Sequence, residues 1–333
     1  MTVGAPEEGW YRPSIGLKPE IWHAPEHSDP ASREPIPSHG RTLRLLVRAS
    51  RPRQWTKNLL VFVAPAAAGS FGHAASFGRA AAAFGIFCLV ASGTYLINDT
   101  VDAEVDRHHP VKQHRPVASG ELSSRRALTL GIGLAAMSIG AAWALAGWEL
   151  ALVVATYSAV SIAYSIRFKR EPVIELAFLA TGFVLRAVAG GVATGVPLSN
   201  WFLAVTCFGA LFVATGKRAA ELELLGPNPE THRESLAKYT ASFLRSTLTL
   251  TASVTVTAYC LWAFGSSVLG ATDSHDKIWI ELTVIPMILG ILHVLQLLDR
   301  GEGGAPEELV FRDRMLQLLG LVWVTLFGLG IYT

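Results

Sequence analysis

The sequence predicts an all-α, polytopic membrane protein built as a bundle of nine transmembrane helices, and three observations carry that prediction. Hydrophobic residues make up 51% of the 333 positions and charged ones only 16%, with a mean hydropathy of +0.37, which is membrane-like rather than soluble-like. Apolar runs of the ~17–25 residues that cross a hydrocarbon core as helices recur along the chain. None of them alternates with the period of two that a barrel strand requires, and in lipid only helices and closed barrels satisfy their own backbone.

Taken in order, residues 1–40 are rich in Pro, Glu, Ser and His and lack an apolar signal-peptide core, so they read as a flexible tail preceding a catalytic domain over 41–333. The nine spans fall at roughly 57–72, 79–97, 125–146, 149–166, 173–195, 201–216, 241–265, 278–298 and 313–332. The loops between them are strongly asymmetric. One side holds 22 Lys and Arg, the other only Arg79 and Lys277, and basic short loops mark the cytoplasmic face. The expected arrangement is a multi-pass protein of the inner (plasma) membrane, with its N-terminus and polar rim cytoplasmic and its C-terminus outside. Cys88, Cys207 and Cys260 lie inside spans with no CxxC spacing and read as small packing residues. No nucleic-acid partner is expected. The oligomeric state is left open, a homo-oligomer included.

The second span ends in "YLINDTVDAEVDRHHP" (95–110). If its helix continues, Asp99, Asp102 and Asp106 stand at i, i+3 and i+7, within an arc of about 60°. Three carboxylates on one face repel one another. A hard divalent cation removes that conflict, and Mg²⁺ prefers one or two carboxylates plus substrate phosphate oxygens. Asn98 adds a carbonyl oxygen, giving a metal set of Asn98, Asp99, Asp102 and Asp106. A solvated acidic loop facing Arg107 and Arg115 is the plainer alternative. His108, His109 and His114 suit softer metals and are read as loop residues.

Arg186 lies midway along the fifth span, where an ionisable group marks a functional site with a partner in the bundle. Glu175, eleven residues earlier, sits about 20° away on the helix wheel and roughly 16 Å along the axis, so both face one cavity. A buried structural ion pair is the alternative for Arg186, and a favourable first-turn acid for Glu175.

"NDTVDAEVD" (98–106) resembles the NDxxDxxxD motif of the UbiA superfamily of intramembrane prenyltransferases. The resemblance covers roughly 42–333 and implies a UbiA-like bundle of nine helices with a cytoplasmic Mg²⁺–diphosphate cavity. That family carries a second acidic motif, DxxxD, where this chain reads "ATGKRAAELELL" (214–225), with Lys217 and Glu221 in the register of the acids and Arg218 beside them. The blocks "RPRQWTKNLLVFVAPAAAG" (51–69) and "YSIRFKREPVIELAFLATGFVLRAVAGGVATGVPLSNWF" (164–202) resemble a branch that transfers 5-phosphoribosyl from phosphoribosyl diphosphate to decaprenyl or another polyprenyl phosphate, feeding cell-wall arabinan synthesis. That chemistry gathers several phosphates in one pocket and implies additional cations.

Lys57, Arg115, Lys169, Arg170, Arg186, Lys217 and Arg218 are the candidates, Arg offering a planar fork and Lys a compact charge. Asn58, Tyr164, Glu175 and Glu221 complete the substrate set, and Asp99, Asp102, Lys169 and Arg186 are the residues closest to catalysis. Glu175 stands where the branch pattern carries Asp. Two rivals remain at this point. A prenyltransferase with an aromatic or quinone-precursor acceptor shares fold and metal, and KxxxE in place of DxxxD argues against it. A transporter would place its polar groups at the midplane, whereas here they gather at the rim.

Overall fold

The structure is a computed structural model that describes residues 38–109, 111–225, 234–265, 274–301, 309–310 and 312–332. Thr42–Thr333 form one compact unit. The tail expected over 1–40 falls, up to residue 37, outside the described residues.

The described residues are helical throughout: α1 Ser38–Ser50, a 3-10 segment Pro52–Phe62, α2 Val63–Ala67, α3 Ala74–Val101, α4 Ala103–Arg107, α5 Ser124–Ile166, α6 Ile174–Thr194, α7 Asn200–Leu225, α8 Glu234–Ala237, α9 Ala241–Phe264, α10 Ser274–Leu282, α11 Val284–Asp299 and α12 Arg314–Tyr332, with short 3-10 turns between. Ser123 caps α5 by accepting from Arg126 N, and Thr240 caps α9 by accepting from Phe243 N. Seven of these stretches are long and apolar enough to cross a membrane.

One of the seven, α5, supplies two crossings. At 43 residues it would reach about 64 Å if straight, twice a hydrocarbon core. It instead reverses at Ala146 and Gly147, where Gly147 adopts φ 73°, ψ −164°, a conformation open only to glycine. Both arms pack on α3: Ala127 and Leu134 of the first meet Leu96, while Leu150, Val154 and Tyr157 of the second join Phe87 and Val90 in the main core.

The first expected span departs from the prediction. Residues 57–72 do not form one continuous α-helix; the 3-10 segment and α2 take its place, so among the described residues the first of the nine expected spans is not α-helical along its length. At about 2.0 Å rise per residue the 3-10 segment covers about 22 Å, and α2 adds about 7 Å, so sixteen residues reach one bilayer core. The segment lies backbone-to-backbone on α6 at Gly190, where a Cβ would stand 1.8 Å from Val61 O.

The C-terminal end of α3, both ends of α5, the N-terminus of α6, the C-terminus of α7 and the start of α9 meet at one end of the bundle, where the site forms.

Candidate active site

At that end a cavity of about 620 Å³ opens between the helices. One wall comes from the 3-10 segment, and its period explains which residues it presents. Three residues per turn stack side chains at i and i+3 in columns. Arg51, Gln54 and Lys57 form the column that lines the cavity. Trp55, Asn58 and Val61 form the next, packed inward: Trp55 Nε1 donates to Ser92 Oγ at 3.2 Å, Asn58 is fully buried and Val61 joins the core. Sequence reading had Lys57 and Asn58 but missed Arg51 and Gln54, because an α-helical period does not group them.

The acidic motif is divided between two roles. Asn98 and Asp102 line the cavity. Asp99 and Asp106 do not line it; both are buried and turned onto arginines. Asp99 accepts from Arg51 and, at 3.3 Å, from Arg115, whose Nη1 also reaches Asp106 at 2.5 Å. The four oxygen-bearing residues therefore do not share one face. The helix is interrupted at Asp102, which joins α3 to α4 with φ −91°, ψ 0°. Arg51 itself has φ 51°, unusual for a side-chain-bearing residue, and its guanidinium lies 5.2 Å from the Tyr95 ring centroid. Burial lowers its pKa below the ordinary arginine value and Asp99 opposes that shift.

Lys169, in the 3-10 turn after α5, pairs with Asp102 across the cavity mouth. Tyr164 and Lys217 also line the cavity, as do Lys112 and His109, the latter read from the sequence as a loop residue. Arg170 does not line it; its carbonyl accepts from Lys238 Nζ at 3.2 Å.

Beneath Lys217 lies a buried ionic cluster. Arg218 donates through Nε to Glu175 at 3.0 Å and through Nη1 to Glu221. Arg218 is 2% exposed and Glu175 0%. Glu175 therefore pairs with α7, not with Arg186 on its own helix, because two turns and more of axial separation keep the latter pair apart. Tyr239 closes this corner: its hydroxyl accepts from Val173 N at 2.8 Å, fixing the entry to α6 where Val173 has φ 65°. Burial pushes the Tyr239 phenol up to about 12.

Arg186 lines the cavity floor. Nε donates to Asn58 Oδ1 at 2.7 Å, Nη1 to Gly182 O at 2.6 Å and Nη2 to Tyr157 Oη at 2.8 Å. Its guanidinium carbon lies 4.7 Å from the Tyr157 ring centroid. Among the described residues, eight Lys and Arg line the cavity together with two carboxylates, Asp102 and Glu221.

A multi-pass helical bundle holding a polar, strongly cationic cavity at one membrane face defines an intramembrane enzyme that handles phosphorylated substrates. The chain belongs to the UbiA prenyltransferase family, whose sequence profile matches residues 59–320. It is 43% identical to the decaprenyl-phosphate phosphoribosyltransferase of Mycolicibacterium smegmatis, over 90% of this chain and 98% of that protein. It is 40% identical to the enzyme of the same name from Mycobacterium tuberculosis, over 86% of this chain and 94% of that one. Among solved structures, a UbiA homolog from Archaeoglobus fulgidus bound to GPP and Mg²⁺ superposes with a TM-score of 0.63 at 22% identity, over 86% of this chain and 98% of that one. A digeranylgeranylglyceryl phosphate synthase gives 0.60 at 16% identity, over 87% and 98%. These likenesses establish the fold.

Proposed function

We propose that this enzyme transfers the 5-phosphoribosyl group of phosphoribosyl diphosphate to decaprenyl phosphate or a similar long polyprenyl phosphate, releasing diphosphate. The observation that carries the reading is the excess of cations: among the described residues eight Lys and Arg line a single cavity, and even with Asp99, Asp106 and Glu175 behind its wall only five carboxylates oppose them. One diphosphate does not call for so many, whereas this reaction assembles a diphosphate, a 5-phosphate and a lipid phosphate. The near full-length likeness to mycobacterial enzymes of that name supports the same assignment, and the product then feeds cell-wall arabinan synthesis.

Asn98 and Asp102 present oxygen donors to the cavity, the set that a hard divalent cation favours. They would hold Mg²⁺, with Asp99 and Asp106 fixed behind them by Arg51 and Arg115. When bound, the cation neutralises charge on the diphosphate and so improves the leaving group. Lys169 orients the Asp102 carboxylate and, with Lys217, holds phosphate oxygens. As the C1–oxygen bond of the ribose breaks, the electron pair leaves with the diphosphate. The lipid phosphate oxygen, already anionic, then forms the new bond to C1 from the opposite face, inverting the anomeric centre. No general base is required. Preorganised charge and fixed geometry supply the acceleration. The basic bias of the loops supports a cavity on the cytoplasmic side of the plasma membrane, with residues 1–40 as a cytoplasmic tail.

Purified protein in detergent, given Mg²⁺, a polyprenyl phosphate and radiolabelled phosphoribosyl diphosphate, should move label into the lipid phase, and Asp102→Ala should not. Consumption of a prenyl diphosphate with an aromatic acceptor, and no labelled lipid, would overturn the assignment.

A further inference from the structure

We infer that Arg186, braced by Asn58 and Tyr157, forms a buried subsite for a phosphomonoester, separate from the rim where the diphosphate binds; the inference rests on the proposed phosphoribosyl transfer. Four other cavity cations have acidic partners: Arg51 with Asp99, Arg115 with Asp99 and Asp106, Lys169 with Asp102, Arg218 with Glu175 and Glu221. Arg186 has none among the described residues, yet it is only 5% exposed. A buried charge is stable only when something compensates it. The aromatic faces of Tyr157 and Phe183, 4.7 and 5.9 Å from its guanidinium carbon, do so in part. An anion entering the cavity completes the compensation.

The donor count fits a phosphate. Of the five guanidinium N–H groups, three are spent on neutral acceptors. One remains on each terminal nitrogen, the forked pair that matches two phosphate oxygens. Tyr157 Oη accepts from Nη2 and retains its own proton, a third donor beside the fork. The brace is itself held. Asn58 Nδ2 donates to Cys88 Sγ at 3.3 Å, which turns Oδ1 toward Arg186, and the Val61–Gly190 contact seats the 3-10 segment one turn of α6 away.

The depth separates this subsite from the rim. Because Nη1 bonds Gly182 O, the guanidinium lies about 12 Å along α6 from Ile174, while Asn98 and Asp102 stand at the end of α3. Among the described residues no acidic group pairs with Arg186, so a dianionic phosphomonoester meets no competing carboxylate there. Two substrates carry one: the ribose 5-phosphate end of phosphoribosyl diphosphate, and the polyprenyl phosphate.

Ribose 5-phosphate and farnesyl phosphate serve as probes, read as shifts in the Tm of the purified protein. One of them should stabilise the wild type, and Arg186→Met should abolish that shift. KM for the matching substrate should rise by roughly 10- to 100-fold in the same variant, with the other changing less than about threefold. Gly182→Ala is the second variant: its Cβ would stand 3.5 Å from Arg186 Nη1 and 3.8 Å from the Tyr157 ring, ordinary contact distances. It keeps the charge and the fold but occupies space beside the fork, and should weaken the same probe. Which probe responds identifies the source of the phosphate. No stabilisation of the wild type, equal loss for both probes, or a shift retained in both variants overturns the subsite. A wild type that binds a probe through Arg186 but transfers no phosphoribosyl group overturns the reaction assignment instead.

Discussion

Replacing Arg218 by Gln isolates the buried ionic cluster between α6 and α7. Arg218 and Glu175 are 2% and 0% exposed and joined at 3.0 Å. Gln cannot supply the charge, so Glu175 is left buried and uncompensated, while the half-exposed Glu221 turns to water. Removing one partner of such a pair costs about 3–5 kcal/mol, which for a chain of this size corresponds to a fall in Tm of roughly 4–7 °C. The double variant Arg218→Leu/Glu175→Leu removes both charges and replaces them with packing groups, an exchange that is often neutral or stabilising. Thermal unfolding of the wild type, Arg218→Leu, Glu175→Leu and the double variant closes a cycle whose coupling term should be about 3 kcal/mol. A drop below about 1 kcal/mol for Arg218→Gln, or a double variant no better than the sum of the singles, would refute the claim that the pair compensates itself.

Gly190→Ala places a Cβ 1.8 Å from Val61 O and must push the 3-10 segment away from α6. The bond between Asn58 and Arg186 should be lost with at least a tenfold fall in kcat/KM, whereas Gly133→Ala, with nothing within 4 Å of its Cβ, should behave as wild type in the same assay. Chelation of divalent ions should abolish transfer and Mg²⁺ should restore it; Asp102→Asn should shift the Mg²⁺ titration to higher concentration by roughly tenfold or more. Tyr239→Phe strips Val173 N of its partner and should cost about 1–2 kcal/mol in thermal stability. Because the folded phenol titrates near 12 and an unfolded one near 10, its contribution is intact below pH 10 and is lost as pH rises through 12. The stability difference between wild type and Tyr239→Phe should shrink across that window.

The helical membrane class and most spans were legible because lipid leaves the sequence little freedom: a helix that crosses must be apolar over its whole length. Gly147 was legible as a gap between two runs, and the structure shows that the chain turns back within that gap. The acidic motif was legible in its place at a helix end. What sequence alone did not show was the division of labour within it. Arg115, which claims Asp106 from 9 residues away, was the partner the plainer reading offered, whereas Arg51, 48 residues from Asp99, has no local signature. The same holds for the first span. Its 3-10 path follows the close approach to Gly190, an event on another helix, and only that path groups Arg51, Gln54 and Lys57. Arg186 announced itself as an intramembrane charge, but helix geometry also turned Glu175 toward that cavity, and Glu175 is instead committed to Arg218.

The fold-back of α5 also provides a ruler. Trp143 and Trp148 flank the reversal and are 63% and 60% exposed, as aromatic side chains are where a helix meets the membrane interface. From Trp148 to Ile166 the second arm covers about 27 Å, close to one hydrocarbon thickness. Tyr157 stands at its midpoint. Its hydroxyl, bonded to the Arg186 guanidinium, therefore lies about halfway along a membrane-length arm. An anion held there has travelled part of the way through the membrane's electric field. If an anion binds there, its affinity should depend on membrane voltage by up to about 1 kcal/mol per charge per 100 mV.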